Sequence, residues 1–162
     1  MFDREPTVYE RCYNFDRFDQ NTLIWIDAHP DMHTEGTSLS GYIGGRALQR
    51  VHDKFEAVFL LGTRSWEPGE VENVIKAENI LVASSSIHMP NWMEKHVHID
   101  MDVLDPMIVI VPYPVEYGWS FDNLHEQVRN LNNVRSWSVS NVEDEQMLDR
   151  VSCCVCSAVE DG

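Results

Sequence analysis

The chain has 162 residues, with 27 acidic side chains against 12 Lys and Arg, for a formal net charge of −15. Its 43% hydrophobic content is enough for a folded core rather than a disordered segment, and its length suits one domain, residues 1–162. The acid excess excludes a sequence-independent grip on nucleic acid or an anionic membrane, which needs a basic face. Carboxylates that converge in a fold bind cations instead.

The chain opens Met1-Phe2-Asp3-Arg4-Glu5-Pro6, with no basic stretch leading into an apolar run as a signal peptide would have. No apolar run approaches the roughly 20 residues that span a bilayer. Cys12, Cys153, Cys154 and Cys156 have neither zinc-ligand nor disulfide-framework spacing. A cytoplasmic protein with reduced cysteines is expected.

Thr22–Ile26, Ala57–Leu61, Ile80–Ala83, Val97–Asp100 and Arg135–Val139 are short apolar runs of the kind found in strands buried on both faces. Helical patterns lie between and after them. One covers Gly45–Val51. Another covers Pro68–Ala77, with Pro68 suited to a first turn. Ser120 can cap a helix carrying Phe121, Leu124, Val128 and Leu131 on one face. A last helix from about Glu143 would align Met147, Leu148, Val151, Val155 and Ala158. Strand alternating with helix predicts an α/β fold, a mostly parallel sheet with helices, and such sheets bind ligands at the carboxyl ends of their strands.

Two of those ends are dense in ligands. The first reads Ile26-Asp27-Ala28-His29-Pro30-Asp31 and the second His98-Ile99-Asp100-Met101-Asp102-Val103-Leu104-Asp105-Pro106. Residues two apart on a strand share a face, so Asp27 pairs with His29 and Asp100 with Asp102. Asp31 follows at the turn, and Asp105 is better placed to hold the turn at Pro106. If the two strands are neighbours, four carboxylates and one imidazole converge. That mixture suits Mn²⁺, Fe²⁺ or Zn²⁺ better than Ca²⁺, and carboxylates that bridge two ions can activate a water.

These motifs resemble those of the ureohydrolase family, also called the arginase/agmatinase family. Asp27-Ala28-His29-Pro30-Asp31 matches its Asp-Ala-His-x-Asp motif. Residues 98–106 match its Ser-x-Asp-x-Asp-x-x-Asp-Pro motif, with His98 in place of Ser. Gly62-Thr63-Arg64 followed by Glu67-Pro68-Gly69-Glu70 is similar to the Gly-x-Arg and Asp-Pro-Gly-Glu segments of the arginase branch. Ser38-Leu39-Ser40-Gly41 is similar to an arginase loop, and Pro114–Ser120 to a turn before a late helix.

The resemblance implies a three-layer α/β/α fold and a binuclear Mn²⁺ centre. It further implies hydrolysis of a guanidino C–N bond by a metal-bridging hydroxide, with release of urea from a small substrate such as arginine or agmatine. Asp27 and Asp100 would bridge both ions, Asp31 would complete one shell, and His29 and Asp102 the other. Ser40, Glu67, Glu70 and Asn141 would face the substrate. Homo-oligomers are also expected of this family.

Three departures bear on activity. No Gly-Gly-Asp motif, the family's source of a further His ligand, occurs in the 26 residues before Asp27, so the family's first strands are expected to be missing. Gly44 stands where arginases carry a proton-shuttling His, for which His33, His88 and His98 are substitutes in reach of sequence. Asn141 stands where a Glu grips the guanidinium, with Glu143 two residues on. They leave open an inactive metal-binding or regulatory relative, or a fragment of a longer enzyme. His96 and His98 share a strand face. His52 and His125 read as surface residues, and Trp66, Trp92, Trp119 and Trp137 as core or pocket walls.

Overall fold

The computed structural model describes residues 22–83, 92–142 and 145–160. His88 and Glu143, two sequence candidates, lie outside them, as do Cys12 and the side chains of Leu148, Cys154, Cys156 and Ala158.

Five strands form one parallel sheet: β1 (Thr22–Ile26), β2 (Ala57–Leu61), β3 (Ile80–Ala83), β4 (Lys95–Asp100) and β5 (Val134–Ser140), in the spatial order β3-β2-β1-β4-β5. Three helices accompany them: α1 (Pro68–Lys76), α2 (Phe121–Arg129) and α3 (Glu145–Glu160). Strand alternation sorts the two cores. On β1, Leu23 and Trp25 face one layer with Met32, Leu48, Val51, Phe55 and Val74. Ile24 and Ile26 face the other with Phe121, Leu124, Val128, Met147 and Val151. α1 therefore covers one face and α2 with α3 the other, giving the expected three layers.

The helix ends follow their sequence signals. Ser120 Oγ accepts the Asn123 N–H at 3.1 Å at the start of α2. At the start of α1, Glu67 and Glu70 cap each other's backbone N–H groups, with Pro68 in the first turn.

One segment departs from expectation. Residues 44–54 form three successive 3₁₀ turns, Gly44–Arg46, Leu48–Arg50 and His52–Lys54, rather than a helix over 45–51. In an α-helix the Gln49 N–H would bond the Gly45 carbonyl. Here the Gln49 N–H goes to the Asp31 carbonyl at 3.1 Å, and the Gly45 carbonyl accepts from the His33 N–H at 2.9 Å. The segment's backbone is thus spent on holding the loop that follows β1.

The chain runs outwards from β1 through β2 to β3, then returns to place β4 on the other side of β1. The β1/β4 boundary is therefore the switch point of the sheet, where ligand crevices open at the carboxyl ends of the strands.

Candidate metal centre

Both acid motifs end at that boundary, since β1 and β4 pair directly, with Ile26 opposite Ile99. A cavity of about 240 Å³ opens there. Its lining includes all nine residues singled out from sequence: Asp27, His29, Asp31, Ser40, Glu67, Glu70, Asp100, Asp102 and Asn141. His33, Tyr42, Tyr113 and Ser140 also line it.

The aspartates are held by the backbone that delivers them. Asp27 is 1% exposed. Its Oδ1 accepts the His29 N–H at 2.6 Å, and its Oδ2 accepts the indole N–H of Trp25 at 3.0 Å. Asp102 reaches across from the second motif, accepting the Ala28 N–H at 3.1 Å and pairing with His29 Nδ1 at 2.9 Å. Ligand atoms of Asp27, His29 and Asp102 all lie within 4.8 Å of one another.

Asp100 is gripped more completely. Its Oδ1 accepts from the Asp102 N–H at 2.9 Å, and its Oδ2 from Ser140 Oγ at 2.6 Å. The Asn141 amide donates to both oxygens at 2.8 Å. Asn141 adopts a left-handed backbone (φ 55°), which Asn tolerates better than most residues. Asp105 accepts the Met107 and Gly118 N–H groups at 3.0 and 3.1 Å, holding the turn outside the cavity as expected.

The electrostatics are those of crowded acids. Burial, then repulsion from Asp102 and Asp100, pushes Asp27 well above the usual carboxylate range. Desolvation and the repulsion of Asp27, Asp100 and Asp102 raise Asp31 in the same way. Asp100 is raised to about 7 by burial and Asp102, against the pull of its hydrogen-bond donors. Burial also works against the charge on Asp102, but bonding to His29 holds it below its usual value. His29, opposed by burial, is raised to about 10 by Asp102 and Asp27. Among the described residues no Lys or Arg forms an ion pair with Asp27, Asp31, Asp100 or Asp102. Four crowded carboxylates with only His29 to offset them are costly to bury, and a divalent cation fits the donor set of four carboxylates and one imidazole.

The Arg64 guanidinium is committed elsewhere. It donates to the carbonyls of Gly62, Asp102, Val103, Val115 and Glu116 at 2.7–3.3 Å. It thus staples the loop after β4 to the loop after β2. Gly62 beside it has φ +82°, and a Cβ there would strike Val103.

At the other wall Glu70 is buried, its Oε1 accepting the Met32 N–H at 3.2 Å and its Oε2 the Glu67 N–H at 3.3 Å. Burial raises its pKa, partly offset by His33. His33 Nε2 lies 3.2 Å from Glu67 and 3.7 Å from Glu70. Of the three histidines considered as substitutes at Gly44, His33 lines the cavity, whereas His98 is buried between β4 and β5. Ser40 is exposed at the rim, accepting the Tyr42 N–H at 3.2 Å. Trp119 and Trp137 pack against the core as expected, but Trp66 and Trp92 are exposed. Sequence reading passed over Trp25, although its place two residues before Asp27 on one strand face was the available signal.

A profile of the Arginase family matches residues 9–152. The chain belongs to the arginase family. It is 31% identical, over 134 positions, to an arginase of Brucella melitensis, covering 64% of this chain and 44% of that protein. It is 28% identical over 116 positions to the N(omega)-hydroxy-L-arginine amidinohydrolase of Streptomyces lavendulae, covering 59% of this chain and 41% of that one. The arginase of Bacillus caldovelox superposes with a TM-score of 0.72 at 20% identity, over 91% of this chain and 62% of its own, and so shares the fold. The chain thus spans under half the length of these curated relatives.

Proposed function

We propose that the chain is a Mn²⁺-dependent hydrolase of guanidino C–N bonds that acts on a small cationic substrate such as arginine or agmatine and releases urea. The observation that carries this reading is the meeting of Asp27, His29, Asp31, Asp100 and Asp102 at the ends of adjacent strands, with no Lys or Arg among the described residues paired to the four aspartates. Asp27 and Asp100 would be shared between two ions, with Asp31 completing one shell and His29 and Asp102 the other. Held by these residues, a divalent pair would supply a water of lowered pKa.

The chain's own residues would do the rest. Trp25 and the His29 N–H fix the Asp27 carboxylate, and the Ala28 N–H and His29 fix Asp102. Glu67 and Glu70 line the wall opposite and complement a cationic substrate; Ser40 stands at the rim to receive its polar end. His33, in contact with both glutamates, can hold a proton for the leaving amine. Tyr42 and Tyr113, ring centroids 4.9 Å apart, narrow the mouth and limit water.

The setting we infer is cytoplasmic, with a small-molecule substrate, no nucleic acid or membrane partner, and assembly as a homo-oligomer. Among the described residues no helix is long and apolar enough to cross a membrane.

A second reading, a metal-binding relative without turnover, is favoured by Asn141. Its amide is engaged with Asp100, and it brings no negative charge to a guanidinium. Urea release from arginine, agmatine and related guanidino compounds, assayed on the Mn²⁺-loaded chain, decides between them. Turnover abolished by Asp27→Ala supports the hydrolase. Full metal loading without turnover on any of these supports the second reading.

A further inference from the structure

The β4–β5 boundary carries an unusual row of polar groups in a buried sheet interior. His96 and His98 on β4 are 3% and 1% exposed, and they face Ser136, Ser138 and Ser140 on β5. The contacts are serial. Ser136 Oγ lies 2.6 Å from His96 Nδ1, and His96 Nε2 lies 2.9 Å from Ser138 Oγ. Ser138 Oγ lies 2.8 Å from His98 Nδ1, and His98 Nε2 lies 3.2 Å from Ser140 Oγ. Ser140 Oγ then lies 2.6 Å from Asp100 Oδ2.

Proton counting gives this row a direction. An ionised carboxylate only accepts, so the Ser140 hydroxyl must donate to Asp100. Its oxygen is then free to accept from His98 Nε2–H. That leaves His98 Nδ1 bare, to accept from the Ser138 hydroxyl. Ser138 in turn accepts from His96 Nε2–H, and His96 Nδ1 accepts from Ser136. Every donor points one way, and each ring is a neutral imidazole protonated on Nε2. Trp25 holds the His98 ring from the side, with centroids 4.0 Å apart, while its indole N–H serves Asp27.

We propose that Ser136, His96, Ser138, His98 and Ser140 form a one-way hydrogen-bond ladder that positions Asp100, fixing both the rotamer of its carboxylate and the hydroxyl that binds it. These are positioning residues. They reach the cation through Asp100, so the proposal rests on the reading of Asp100 as a metal ligand. The ladder also gives Trp25 and His98 a common task, since together they set one carboxylate from each motif.

The test joins imidazole ¹⁵N NMR of the metal-free chain at pH 8.5, above the raised value of Asp100, to Mn²⁺ titration calorimetry on the wild type, Ser138→Ala and Ser138→Thr. The wild type should show His96 and His98 as neutral Nε2–H tautomers. Ser138→Ala removes the donor to His98 Nδ1 and the acceptor from His96. It should disturb the His98 tautomer and weaken Mn²⁺ binding by about 10–100-fold, the usual effect of losing support behind a ligand. Ser138→Thr keeps the hydroxyl and should restore both. Thermal melts confirm that each variant is folded.

A proton on Nδ1 of either wild-type ring overturns the ladder. So does a Ser138→Ala chain that binds Mn²⁺ as the wild type does, or one whose binding weakens with no change at His98. Failure of the wild type to bind Mn²⁺ at all overturns the ligand reading of Asp100, and the proposal with it; that result is distinct from binding that ignores Ser138.

Discussion

Without a metal ion the cavity holds four acids of raised pKa, and this sets the sign of the chain's stability against pH. Asp27, Asp31, Glu70 and Asp100 all hold protons more tightly folded than unfolded. For such groups the stabilisation is greatest near the ordinary carboxylate value and is lost as pH rises through the folded one. Asp100 rises from 3.8 to about 7. At about 1.4 kcal/mol per pH unit, it alone removes about 4 kcal/mol between pH 4 and 7. His29, raised to about 10, continues the loss above its ordinary value of 6.5. Asp102, held below its usual value, acts in the opposite sense only at lower pH.

In urea, with a slope of about 2 kcal/mol/M, the unfolding midpoint in EDTA should therefore fall by about 2 M from pH 4.5 to 7.5. Mn²⁺ should offset most of this fall. Its ligands must be deprotonated, and an ion at 100 times its dissociation constant adds about 2.7 kcal/mol. Asp31→Asn removes a repelling charge at a position whose φ of 50° Asn accepts, so it should flatten the metal-free slope. A midpoint in EDTA that is constant or rises over this pH range would refute the electrostatic account of the wall.

Two further predictions concern the loops that carry the site. Arg64→Met deprives at least four carbonyls of a shared donor and should cost more than about 2 kcal/mol, read as a lower melting temperature in the metal-free chain. Gly62→Ala meets both a positive φ and the Val103 side chain; a loss of about 1–3 kcal/mol is expected from the same melts.

The parts of the fold that sequence predicted well are those where one physical signal dominates. Thr22–Ile26 and Ala57–Leu61 match the observed strands residue for residue, because a continuous apolar run between polar flanks has few alternatives inside a sheet; Ile80–Ala83 matches in extent, but as an edge strand it leaves Leu81 and Val82 exposed rather than buried on both faces. β4 begins at Lys95, two residues before the apolar run at Val97. Lys95 and His96 read as polar, yet both are buried. Lys95 Nζ is satisfied by the Met93 and Asn132 carbonyls and His96 by two serines. Only the tertiary partners make those positions tolerable.

The 44–54 segment failed for a related reason. Its helical periodicity is real, but its internal bonds are 3₁₀ bonds and two of its backbone groups go to residues 31 and 33. At the site, spacing placed Asp27 beside His29 and Asp100 beside Asp102, but Asp102 lies in a 3₁₀ turn beyond β4 and meets Asp27 and His29; the pairing of β1 with β4 supplied what spacing could not. The serines of β5 carried no local signal, because their meaning lies in the register that sets each against a histidine.

The central claim is that the two acid motifs together hold a divalent cation. Titration calorimetry of Mn²⁺ into the chain, beside Asp27→Ala, tests it most directly. Saturable binding by the wild type that is lost in Asp27→Ala is the predicted result. Equal heats from the two proteins, or no saturable binding by the wild type, would contradict it.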